Sequence, residues 1–249
     1  MGKKIFVLSL VLLLNTMPAL AYNQADLDRL LATGSCPQGN LTGAQLTNAN
    51  LTYADLSGAD LSFTDLEGAA LESASLKGAK LVKANMKNVY AEKANLTGAD
   101  LSHANLREAT FSRADFSGVN AFRTSFSHAI IDFATFRSAD IREATFDYVD
   151  GYSADFSGAN LANSWFYQAD LRKTNFTGAN LYNAKLQNAD LGEALFKNTN
   201  LTQSILRAAD LTKADFAGAL LVSTDIVGAK TEDIRFGNAI ITDLKKIRL

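Results

Sequence analysis

The sequence predicts an all-β solenoid, a chain wound into stacked coils around one apolar axis. Three observations carry this expectation. A large apolar residue recurs at every fifth position from Leu41 to Ile241, in all but four of 41 positions in one unbroken register. A small residue stands two places before nearly all of them, and it is Ala in 29 of the 41. A second period of twenty lies on top of the five, because phenylalanines gather at positions that differ by twenty. A period of five suits neither regular element. A helix would spread these leucines around its whole circumference, and a plain strand would alternate them between its faces. The chain must therefore turn after each pentad, so that every large residue points to a common axis.

Composition frames the elements. The chain has 249 residues, 47% hydrophobic and 20% charged, which is enough apolar material for a sizeable core. A formal net charge of -2 leaves no basic footprint for nucleic acid, and a single cysteine excludes a disulfide framework within the chain. The first element is a leader, residues 1–21. MGKK is a basic start, IFVLSLVLLL is an apolar run too short to span a membrane comfortably, and NTMPALA supplies small residues at Ala19 and Ala21. Cleavage is expected after Ala21, which exports a soluble chain with no membrane association and takes the formal charge from -2 to -4. An uncleaved anchor is the alternative.

Residues 22–38 read as a helical cap over the first coil. Asn23 suits an N-cap, Leu27, Leu30 and Leu31 form one helical stripe, and Gly34 can stop the helix. Residues 39–242 are the repeat. Gly recurs two places past the large residue, where a turn favours positive φ, and Asn or Asp recurs just before it, where the side chain can bond to local backbone. Four pentads lose the large side chain, at Ala91, Ala121, Gly151 and Thr231. Three of these have Val89, Val119 or Val149 at the small position, which returns some of the missing volume. Residues 243–249 lack the pattern and are expected to cover the last coil.

The run ANLTYADLSGADLSFTDLEGAAL resembles the pentapeptide-repeat family, and the resemblance covers about four-fifths of the chain. It implies a right-handed quadrilateral β-helix of about ten coils, four pentads to a coil, with coils ~4.8 Å apart. Residues twenty apart should then stack. One side collects Phe116, Phe136, Phe156, Phe176, Phe196, Phe216 and Phe236, and the opposite side collects Phe126, Phe146 and Phe166. The segment LLATGSCPQGNLTGAQL resembles the lead into the repeats of exported family members, where CPxC is expected. Gly39 stands at the second cysteine position, so Cys36 is either a packed apolar residue or a thiol open to intermolecular chemistry.

Chemistry-bearing patterns are sparse. His103 and His128 fall on adjacent sides rather than in one stack, and with one cysteine they assemble no soft or borderline metal cage. No nucleophile elbow, phosphate loop or HExxH occurs. The expectation is therefore a protein without catalysis, cofactor or metal. The NLT and NFT sequons follow from the repeat itself. Two surface features stand out. Asp150, Asp170, Asp190 and Asp210 should line one edge, between Lys230 and Tyr90, as solvated turn caps or as a stripe for cations or a basic partner. Tyr148, Tyr152, Trp165, Tyr167 and Tyr182, with Phe122 and Phe133, fall outward within about three coils, as corner shields or as a contact surface.

Two functions compete. One is a rigid exported rod in the periplasm or thylakoid lumen that holds an unknown protein partner by its sides. Homodimers by end-to-end or side contact remain open. The family resemblance offers a second, a DNA mimic that binds gyrase and protects it from quinolones. Duplex DNA carries about one charge per 1.7 Å, and the mature chain, whose formal charge is -4 once Lys3 and Lys4 are removed from the -2 of the whole, falls far short of that on average.

Overall fold

A computed structural model describes residues 21–245 of the chain. The predicted leader lies outside the described residues except for Ala21, and so do residues 246–249 of the predicted C-terminal cap. Each pentad is one side of a coil. From Leu41 to Ile226 the large residue points inward and is buried, and the residue two places later turns the chain with φ near +60° (Tyr53 61°, Lys83 57°, Tyr148 59°). The residue before the large one forms a parallel bridge with its counterpart twenty positions on, from Ser35↔Asp55 to Asp225↔Lys245. Four turns of five residues therefore close one coil, and the next coil stacks on it.

Neighbouring coils exchange backbone hydrogen bonds in a fixed pattern. Leu41 N–H donates to the Asp60 carbonyl at 2.8 Å, and Asp60 N–H returns to the Gly39 carbonyl at 2.9 Å. Gly43 N–H donates to Ser62, and Ala44 N–H closes the local turn onto Leu41. Turns follow one another too closely for long strands, so the sides are stacks of single bridges. Only near the end do these lengthen into a parallel pair, β1 (Leu220–Val222) and β2 (Ile240–Thr242). Asp or Asn before the large residue secures many turns, as in Asp55 Oδ1 accepting from Ser57 N–H at 3.1 Å.

The core follows from the twenty-residue period. Phe116, Phe136 and Phe156 stack nearly parallel at 4.5 and 4.7 Å, and the column continues to Phe236. Phe126, Phe146 and Phe166 stack the same way on the opposite side. Across the axis the two columns meet edge to face, as Phe126 and Phe136 do at 5.7 Å. Ring spacing near the ~4.7–4.9 Å strand spacing lets each ring lie flat on the next while its edge meets the facing column.

Position two before the large residue is not merely small. Where it is Thr64, Thr124, Thr174, Thr199 or Thr224, the buried hydroxyl donates to a carbonyl 23 residues back, in the preceding coil. No buried side-chain polar atom among the described residues lacks a partner, so these hydroxyls staple coils without the cost of an unmet donor.

At Gly151 the structure shows what fills the gap. A Cβ there would stand 3.1 Å from Leu171 Cδ2 and 3.3 Å from Ile131 Cγ1, the residues stacked above and below it. Val149 is fully buried beside it. The missing side chain is replaced chiefly by its column neighbours, with Val149 as the second contributor.

Helix α1 (Gln24–Thr33) closes the N-terminal end. The Asn23 side chain accepts from Ala25 and Asp26 N–H, and Gly34 ends the helix at φ 69°. Leu27 and Leu30 are buried against the first coil, but Leu31, expected in the same stripe, is 62% exposed. Asp26 Oδ2 accepts from Asn40 N–H at 2.8 Å and ties the helix to the coil. Cys36 is fully buried, and its sulfur occupies the space that a side chain at residue 39 would need, 2.1 Å from a Cβ there. Of the two readings of Cys36, the packed one fits. The coil pattern already begins at Ser35, ahead of the expected boundary at 39, and Asp243 and Lys245 carry it past the expected boundary at 242. The C-terminal end leaves a cavity of about 310 Å³ lined by Ile226, Thr231, Ile234, Phe236, Ile241 and Leu244.

Candidate interaction surface

The four aspartates do form one ladder. Asp150↔Asp170, Asp170↔Asp190 and Asp190↔Asp210 are successive bridges, followed by Lys230, while the neighbour below Asp150 is Ile130 rather than Tyr90. Most of the ladder is answered by the chain's own cations. Arg172 grips Asp170 with two hydrogen bonds and reaches Asp190 at 3.7 Å. Lys230 Nζ lies 2.9 Å from Asp210 Oδ2. Hydrogen bonding from Thr212 and then Lys230 holds the Asp210 carboxyl down at about 2. Asp132, beside the ladder, is pushed the other way by burial, with Asp150 and Asp170 adding repulsion. Among the described residues no group of three or more His, Cys, Asp or Glu is arranged to hold a metal ion.

The aromatic residues divide over three sides, because side assignment follows position within the twenty. Tyr152 lies on the side of Gly151. Its ring meets Phe133 edge-on at 5.7 Å and carries Arg172 at 5.7 Å and Lys173 at 5.4 Å over its face. Hydrogen bonding from Lys173 lowers the Tyr152 phenol below its usual range. Tyr182 lies on another side and donates its hydroxyl to Gln203 Oε1 at 2.7 Å. Phe122 lies on that side too, and Arg123 and Arg142 cover it.

The third side, that of Phe126, Phe146 and Phe166, brings together Tyr148, Tyr167 and Trp165. They are 45%, 39% and 41% exposed. Tyr148 stacks on His128 at 4.8 Å and meets Tyr167 edge-on at 5.6 Å. Trp165 stands just before Phe166 on the same side, bridged to Thr145 and Lys185. Sequence reasoning missed a member of this group, Asp147, whose Oδ1 accepts from Tyr167 N–H at 2.8 Å. It also missed the cations over the other rings. The twenty-residue register could have found both, by reading each outward column beside its neighbours instead of alone.

The chain matches the family model described as pentapeptide repeats, in 8 copies spanning residues 40–78, 54–90, 84–120, 154–192 and 189–228. Among solved structures it is similar to HetL, a pentapeptide repeat protein involved in heterocyst differentiation regulation in the cyanobacterium Nostoc sp. strain PCC 7120, at 24% identity over 88% of this chain and 94% of that one, TM-score 0.38. It is similar to QnrB1, a plasmid-mediated fluoroquinolone resistance protein, at 18% identity over 70% of this chain and 90% of that one, TM-score 0.37. It is also similar to a pentapeptide repeat protein of the Arabidopsis thaliana thylakoid lumen, at 32% identity over 42% of this chain and 63% of that one, TM-score 0.15. A comparison with curated protein sequences gave no match.

Proposed function

The chain belongs to the pentapeptide-repeat family, whose fold is the four-sided β-helix, and we propose that it acts as a non-catalytic, exported rod that holds a protein partner against its sides. The observation that carries this reading is the side bearing Tyr148, Tyr167 and Trp165, three large half-exposed rings set on a stiff stack of coils. Flat, laterally fixed aromatic area of this kind suits a protein contact and costs little side-chain freedom on binding. Export rests on the leader-like residues 1–21, and no helix among the described residues is long and apolar enough to cross a membrane. DNA mimicry fits less well, because twelve ion pairs among the described residues answer many of the surface carboxylates.

Fractionation with N-terminal sequencing tests the location: a mature chain starting at Tyr22 in an exported fraction supports it, and an intact Met1 in the cytosol removes it. Affinity capture from that fraction tests the surface. Partners retained by the native protein should be lost when Trp165 and Tyr167 are both changed to Ser, and equal capture by the double variant would exclude this side.

A further inference from the structure

We infer that the side carrying Asp147, Tyr148, Tyr167 and Trp165 is a receptor for a cationic segment of the partner, an extended stretch that presents arginine. This rests on the protein-binding reading above and names the chemistry of its ligand. The sides of the molecule differ in how their rings are covered. On the other sides, several exposed or half-buried rings already hold a cation of the chain itself: Lys83 over Phe63, Arg113 over Phe133, Arg123 and Arg142 over Phe122, Arg172 and Lys173 over Tyr152. Among the described residues, no such cation lies over Tyr148, Tyr167 or Trp165. Asp147, beside these rings, has no ion pair among the described residues and spends one oxygen on Tyr167 N–H.

Two of the chain's own cations on this side are engaged elsewhere. Lys185, next to Trp165 in its column, donates to Asn183 Oδ1 at 2.8 Å, and Arg207 pairs with Asp225 at 2.8 Å. What remains is the Asp147 carboxylate beside Tyr148 and Tyr167, with His128 on one face of Tyr148 and no lysine or arginine over either ring. A guanidinium is the group that satisfies both, since it stacks on aromatic faces and bonds a carboxylate through its planar edge.

Trp165 is the only tryptophan in the chain, so its emission reports on this side alone. Titration of the purified protein with a blocked peptide of alternating arginine and glycine should shift that emission to saturation. The citrulline analogue keeps the shape and removes the charge, and it should bind at least about tenfold more weakly. Asp147→Asn keeps an acceptor for Tyr167 N–H, so the fold is preserved while the affinity should fall by about tenfold. Tyr182→Ser, on another side, should bind as the native protein does. Equal binding of the citrulline peptide, unchanged affinity in Asp147→Asn, or no emission shift together with no heat in calorimetry would overturn the inference. The scaffold reading is tested separately. A partner captured through Trp165 and Tyr167 while the arginine peptide fails to bind would leave the rod as a scaffold and remove only the cationic ligand.

Discussion

At the scale of the residue, the exceptions to the repeat are the informative positions. Gly151 shows no positive φ and is needed for space, since Leu171 and Ile131 already occupy its column. Gly151→Leu should therefore destabilise the protein by about 1–3 kcal/mol through overpacking. Adding Leu171→Ala should recover part of the loss, and a denaturant double-mutant cycle that gave strict additivity would contradict this packing. Asp132 makes the opposite kind of exception. Its carboxyl is raised above the ordinary range by burial and by Asp150 and Asp170. A carboxyl raised on folding opposes the fold above its folded pKa and ceases to do so once it is protonated in both states. Asp132→Asn, which still accepts from Tyr152 N–H, should stabilise by about 0.5 kcal/mol at pH 7. The gain should vanish near pH 3 in matched denaturation curves.

The pentad and its column were legible in the sequence because each requirement recurs dozens of times. Inward leucines, small partners and turn residues are set by one repeated geometry, so counting finds them. The Phe columns were legible for the same reason, at a period of twenty. What the sequence hid was anything that depends on one neighbour in another coil. Thr64 read as small, yet its hydroxyl bonds Leu41 in the preceding coil. Leu31 fitted the helical stripe, yet it stays exposed while Leu27 and Leu30 are buried. Asp147 looked like any turn residue until its ring neighbours were placed around it. The column also sets a prediction at its own scale. Leucines occupy the same side at Leu56, Leu76 and Leu96, so Phe156→Leu should cost only about 1 kcal/mol, while Phe156→Ala should cost about 3–5 kcal/mol by opening a cavity. Equal urea midpoints for the two variants would show that ring stacking does not hold this side together.

For the whole molecule, the pentad sets the local turn, but only the set of four returns the chain to the same side. Removing residues 186–205 deletes one coil and leaves every downstream column in register, with Phe176 stacked on Phe216. That variant should fold, with circular dichroism per residue unchanged and the side of Tyr148, Tyr167 and Trp165 intact. Removing only 186–190 preserves the pentad pattern but rotates everything after it by one side. Phe176 would then stack on Leu201 and Leu171 on Phe196, and the variant should lose cooperative unfolding or fold with a clearly lower midpoint. Identical melting of the two deletions would mean that the twenty-residue period carries no energy of its own.

The direction of the backbone hydrogen bonds has a mechanical consequence. They run from coil to coil, as Leu41 to Asp60 and Asp60 to Gly39 do, and therefore along the axis of the rod. Sideways load is shared by all the coils at once, because bending must compress one stack of bridges and stretch the one opposite. Lengthwise tension falls on the few bonds of the end coil alone, and after they yield it falls on the next few. Such a molecule is stiff as a beam and weak as a rope. Pulled by its ends in an optical trap, it should lengthen in even steps, each releasing one coil, beginning at the C-terminal end, where no helix like α1 covers the described coils.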